Sequence, residues 1–272
     1  MTIGNINFHR GPRPYNLRAR DYSIPSAELD LSEFTDLEAW MQPDQGNVLA
    51  TAPNLHVFSR LNTYDMRASG AGISVGTGLT GGVAVVDFVG AAPADHTPFV
   101  VENLKLGGHY MLAGLWHFDA GATMGNTQTM WGCGINNTAS NLHIFQQSGV
   151  LRVRHGQQGN DHASVSEFSA GDTALVMSCY DADSDEIKAY VNSLTPVSWE
   201  ETDASGPVGG DMDLRIGSQW NNARSSAIQL FEGSCRASWI ARAPWGRAEY
   251  DDTRNKFMTK IAAYYANDIT LA

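Results

Sequence analysis

Charge is scarce in this chain. Only 17% of its 272 residues are Asp, Glu, Lys or Arg, and the balance is acidic, 29 against 18, for a formal net charge of −11. So few basic residues leave no expectation of a nucleic-acid partner for the body of the protein. Long apolar stretches are lacking too. No run of 18 apolar residues occurs, so no membrane-spanning helix is expected, and MTIGNINFHRGPRPYNLRAR at the start has no continuous apolar segment of the secretory type. Cysteine is limited to Cys133, Cys179 and Cys235, an odd number set among apolar neighbours, which favours buried reduced thiols over a disulfide framework. The eight histidines include no H-E-x-x-H pair, and no C-x-x-C occurs, so no zinc site is expected.

What is present is β grammar. With 27 Gly, 10 Pro and 43% hydrophobic residues, the chain reads as turn-rich and globular. From Leu55 onward it runs in short apolar segments divided by Gly, Pro, Asn and Asp, among them GHYMLAGLWHF, NLHIFQQ, VLRVRHG, TALVMSCYD, EIKAYVN and MDLRIGS. Ten such runs with no helix between them predict an all-β protein, an antiparallel β-sandwich. Ile187, Ala189 and Val191 alternate with Lys188, Tyr190 and Asn192, which predicts one buried and one partly wet face for that run. Residues 27–41 fit a helix, or a first strand at LEAWM. The tail breaks the pattern: Asp251 or Asp252 can cap a helix over 251–266 with Phe257, Ile261, Tyr264 and Tyr265 on its apolar stripe. The expected organisation is a basic arm over 1–26, carrying Arg10, Arg13, Arg18 and Arg20 against Asp21, and one sandwich domain over 27–272 that includes the helix. Such an arm suits docking onto an acidic neighbour, another copy included.

Several motifs suggest chemistry and lose it in context. Gly72, Ser74 and Gly76 spell G-x-S-x-G, and Gly76, Gly78 and Gly81 spell G-x-G-x-x-G, but the next element reads as a strand where both motifs need a helix. Glu201 and Asp203 could begin an E-x-D-x-x-E pair of catalytic acids, yet Gly206 stands in the third position. Asp181, Asp183, Asp185 and Glu186 resemble a calcium loop until Glu186 falls where Gly is needed and Asn192 where a bidentate Glu is needed. They read as the turn of a hairpin, leaving at most a weak calcium site and otherwise no cofactor. The segment SQWNNARSS offers Trp220 beside Asn221, Asn222 and Arg224, and TMWGCGINN offers Trp131 with Asn136. An aromatic face with planar amides is what a sugar ring needs, and a sheet-edge cover with a turn is the plainer use of the same residues.

The order GLTGGVAVVDFVG, GHYMLAGLWHF, TALVMSCYDADSDEIKAYVNS, MDLRIGS, FEGSCRASWIA and a final helix resembles the concanavalin A-like lectin/glucanase superfamily in its laminin G-like, jelly-roll form. The hairpin departs from the family pattern, since Ser184 and Asp185 follow Asp183 where Gly is common. The resemblance implies a domain that binds carbohydrate or protein at a sheet face or loop rim, in some members with calcium. A similar layout occurs in bacteriophage particle proteins, where a sandwich is carried on a short arm. The expectation is a non-enzymatic virion structural protein, a capsid decoration or tail component. It would be a homo-oligomer, attached to other virion proteins through its arm and able to bind host-surface glycans. A secreted or cell-surface glycoside hydrolase or lyase is the alternative.

Overall fold

A computed structural model describes residues 29–43, 48–51, 54–61, 64–69, 73–77, 84–88, 99–134, 138, 141–156, 161–200, 209–210, 212–220 and 227–272. The arm with Arg10, Arg13, Arg18 and Arg20 lies outside the described residues, as do Asn136, Glu201, Asp203, Asn221, Asn222 and Arg224.

Two antiparallel sheets face each other. The first is ordered β15 (Val197–Glu200), β14 (Glu186–Val191), β13 (Thr173–Asp181), β8 (Tyr110–Phe118), β19 (Gly233–Ala241), β6 (Ala84–Phe88) and β5 (Ile73–Thr77), with β1 (Leu37–Met41) also pairing β19. The second is ordered β12 (Asp161–Glu167), β11 (Val150–His155), β10 (Leu142–Gln147), β9 (Gln128–Cys133), β16 (Arg215–Ile216), β7 (Phe99–Val101), β4 (Asp65–Ser69), β3 (Asn54–Phe58) and β2 (Val48–Thr51). A two-stranded ribbon, β17 (Gln219–Trp220) with β18 (Ala227–Ile228), a 3-10 turn at Ala248–Tyr250 and one α-helix, α1 (Asp251–Tyr264), complete the described elements. The expected sandwich with a C-terminal helix is what forms. LEAWM is a strand, resolving the helix-or-strand ambiguity. No helix among the described residues is long and apolar enough to cross a membrane.

The period-two geometry of strands gives two cores. Leu112, Trp116, Phe118, Val176, Tyr180 and Ile240 point between the sheets and meet Ile144, Val153, Ile216 and Trp131. Trp131 is fully buried, edge-on to Trp116 with centroids 5.1 Å apart, and its Nε1–H donates to Ser238 Oγ at 3.1 Å. The opposite parity of the first sheet is also apolar: Met111, Leu115, Met177, Cys179 and Trp239 form a second core beneath α1. Phe257 of the helix stands edge-on to Trp239, Trp245 and Phe34 at 5.7, 5.3 and 5.3 Å. Such a cluster adds about 0.5–1.5 kcal/mol per ring pair beyond area burial. On β14, Tyr190 lies in this second core while Lys188 and Asn192 on the same face are half-buried, so that face is partly wet as expected. The helix begins without a side-chain cap; Asp251 and Asp252 sit in its first turn, and Asp251 pairs with Arg254 three residues on. All three cysteines are free and buried.

Candidate functional site

The acidic run forms the hairpin between β13 and β14, in register from Val176 opposite Val191 to Asp181 opposite Glu186. Asp185 takes the left-handed conformation at φ 53°, a tight-turn geometry that Asp tolerates better than most residues. Asp181 accepts from the Asp183 N–H at 3.1 Å, from the Ser184 hydroxyl at 2.9 Å and from Arg247 through two N–H groups at 2.8 Å each. The Arg247 guanidinium is the main cause that holds the Asp181 carboxyl well below the usual range. His109, Asp181 and Asp183 are close enough to share a cation, yet Arg247 already bonds both carboxylates. The acids therefore pin the hairpin to the segment leading into α1, a partner 66 residues away that local sequence does not reveal.

A second cluster of polar groups lies on the other sheet. Across the outer side of the second sheet, directly paired residues form one row: His56, Arg67, Val100, Arg215, Gly132, His143, Arg154 and Asp161. Their flanking neighbours Val57, Met66, Val101, Ile216, Trp131, Ile144 and Val153 belong to the inter-sheet core, so strand alternation turns the row outward. A chain that is acidic overall thus gathers three arginines and two histidines in one line. Arg67 pairs with Glu102 at 2.8 Å near solvent. Arg154 pairs with Asp161 and lies over Phe145 at 5.1 Å, and Phe145 in turn stacks on His143 at 4.1 Å. His143 is fully buried beside Thr129 Oγ1 at 2.7 Å, and burial, with the Arg154 charge second, holds its pKa well below the ordinary value.

The centre of the row is open in chemistry rather than in space. Gly132 supplies no side chain, and a Cβ there would lie 2.6 Å from the Ser218 carbonyl, because Gln219 folds over it. Gln219 donates through Nε2 to Asn141 Oδ1 at 2.6 Å and to the Leu142 carbonyl at 3.0 Å, while its Oε1 accepts the Trp220 N–H at 2.9 Å. These bonds lay β17 across the sheet and bring the half-buried Trp220 over the Arg215 guanidinium. Arg215 is 0% exposed, and its Nε, Nη1 and Nη2 have no hydrogen-bond partner among the described residues. Burial lowers its pKa to about 8. Asn141 Nδ2 is likewise unsatisfied.

Of the residues anticipated for sugar binding, Trp220 lies at this centre. Trp131 is a correction: it sits on the neighbouring strand with the opposite parity, fully buried, and presents no face to a ligand. Ser74 lies within β5, without the strand-to-helix turn a nucleophile elbow requires. Arg215 and Gln219 carry no expectation in the sequence, although Arg215 between the core residues Leu214 and Ile216 offers a signal: a charged residue in an apolar run faces the other side.

No family model matches the chain, and no curated protein does. Solved structures do. The binding domain of botulinum neurotoxin DC, in complex with rat synaptotagmin II, is similar over 82% of this chain and 52% of that one, at TM-score 0.54 and 9% identity. A mutant of Trypanosoma rangeli sialidase displaying trans-sialidase activity is similar over 83% of this chain and 33% of that one, at 0.53 and 10%. The CBM40 of Ruminococcus gnavus IT-sialidase, bound to α2,6 sialyllactose, covers 54% of this chain and 82% of its own length at 0.41 and 12%. This chain therefore spans about half of the toxin domain and a third of the sialidase. At such identities the likeness concerns the lectin-like β-sandwich fold.

Proposed function

We propose that this protein is a non-enzymatic binding and display module that recognises carbohydrate on the outer face of its second sheet. The observation that carries the reading is the centre of the basic row, where Trp220 lies over Arg215, whose N–H donors have no partner among the described residues. Sugar rings offer C–H faces for an aromatic and many acceptor oxygens for such donors. The toxin binding domain of similar shape, in complex with rat synaptotagmin II, supports recognition as the use of the fold. A glycan array with the full chain is expected to give a signal that Trp220→Ala abolishes; an array without signal overturns the reading.

The wider role in this proposal is that of a bacteriophage virion structural protein, a capsid decoration or tail component. Residues 1–26 dock it through Arg10, Arg13, Arg18 and Arg20 onto acidic surfaces of the particle, and the sandwich faces outward as a homo-oligomer. Support comes from the basic arm on an acidic body and from the resemblance to particle proteins of that layout. Deleting residues 1–26 is expected to abolish attachment to particles while preserving the β-rich circular dichroism spectrum; attachment without the arm sinks the docking role. Release of reducing sugar from a polysaccharide, lost on changing Glu201 or Asp203, would instead establish a hydrolase.

A further inference from the structure

Arg215 poses a problem that the described protein does not solve. Its cross-strand neighbours are Val100 and Gly132, neither of which offers a side-chain acceptor. Further along the row stand Arg67, His143 and Arg154, of which Arg67 is already paired with Glu102 and Arg154 with Asp161. Asp213 is near in sequence, but its carboxylate is 3.6 Å from Lys105 and makes no hydrogen bond to the guanidinium. Trp220 lies over the guanidinium carbon, a contact that engages the cation without supplying an acceptor to its N–H groups. Burying an unpaired charge costs several kcal/mol. Asn141 Nδ2, on the far side of Gln219, is another donor without a partner among the described residues, its Oδ1 being taken by Gln219. Every unmet group just named is a donor except that the Ser218 hydroxyl, also unsatisfied, can play either part.

We propose that Arg215, backed by the Trp220 indole, is an oxyanion-recognition site that takes the carboxylate or sulfate of an acidic saccharide. A carboxylate accepts two parallel N–H bonds from the guanidinium fork, and a sulfate can use the same edge. The proposal rests on the carbohydrate reading and narrows it from saccharides in general to charged ones.

Calorimetric titration of the full chain with an oligogalacturonate, a sulfated oligosaccharide and the carboxyl-reduced neutral counterpart, all at one ionic strength, tests it. Hydrogen bonds to a charged group predict that at least one acidic ligand binds about tenfold or more tightly than the neutral one. Arg215→Met should erase that preference, and whichever acidic ligand depends on Arg215 identifies the anion. Equal affinity for charged and neutral ligands overturns the oxyanion site while sparing carbohydrate binding; so does a preference that survives in Arg215→Met. If no saccharide binds, the carbohydrate reading fails and inorganic sulfate decides the site alone. Low-millimolar sulfate should then raise the melting temperature over chloride in the wild type and not in Arg215→Met. Without ligand, the variant should melt no lower than the wild type, since it loses an unpaired charge; a clear fall would mean that the protein itself satisfies Arg215, and would overturn the assignment.

Discussion

The two sheets differ most on their outer sides. On the first, Met111, Leu115, Leu175, Met177 and Trp239 continue the apolar character of the inner side, and α1 with Trp245 and Phe34 covers them. On the second, His56, Arg67, His143, Arg154 and Arg215 alternate with the core residues, and the ribbon of β17 and β18 reaches across Gly132. The same fold thus uses one outer side for stability and leaves on the other a line of basic groups. Apolar residues at both parities call for cover on both faces, whereas polar residues gathered at one parity leave that face for polar work.

The comparison breaks most sharply under the helix. Trp239→Ala removes the ring that Phe257 and Tyr265 pack against and should cost about 3–5 kcal/mol in urea unfolding, and a loss below about 1 kcal/mol would contradict a second core. Acid should test the two buried histidines, His143 on the basic row and His155 between the sheets. The unfolded chain binds their protons near pH 6.5, while burial holds His155 down to about 3 and His143 well below its ordinary value. Below pH 6.5 the unfolded state therefore holds more protons than the folded one, so stability falls as pH falls, by about 1.4 kcal/mol per unit for each histidine, until the folded-state pKa is reached. Urea midpoints from pH 7 to 4 measure this, and His143→Gln should remove about one proton's worth of the slope.

Arg247→Met should have a smaller effect and, unlike a packing defect, one that depends on pH. The Asp181 carboxyl is held below its unfolded value, so the stability it contributes is present above about pH 4 and is lost as pH falls through the folded value. The variant should melt lower than the wild type at neutral pH, and the gap should narrow in strong acid; a gap independent of pH would assign Arg247 to packing alone. Least of all, Arg67→Ala, which removes a surface ion pair with Glu102, should change stability by about 0.5 kcal/mol or less.

Much of the architecture was legible because it is local. The alternation of Ile187, Ala189 and Val191, the Asp and Ser turn at 181–186 and the spacing of Phe257 and Ile261 each lie within one element, and each reappears in the structure. The site was less legible. Trp131 and Trp220 look alike in sequence, each a tryptophan near asparagines, yet one lies between the sheets and the other over Arg215. Side-chain parity on a strand separates them, and parity is fixed by register, which depends on β10 and β16 pairing with β9 from distant parts of the chain.

By itself the sequence determined the class of the fold, the hairpin of β13 and β14 and the closing helix, since period and turn chemistry act over a few residues. Tertiary structure alone decided that Arg247 would answer Asp181, that α1 would cover the first sheet, and that Arg215 would be buried with its donors unmet among the described residues. Those outcomes depend on which strands become neighbours, and the free energy that selects neighbours is summed over the whole core.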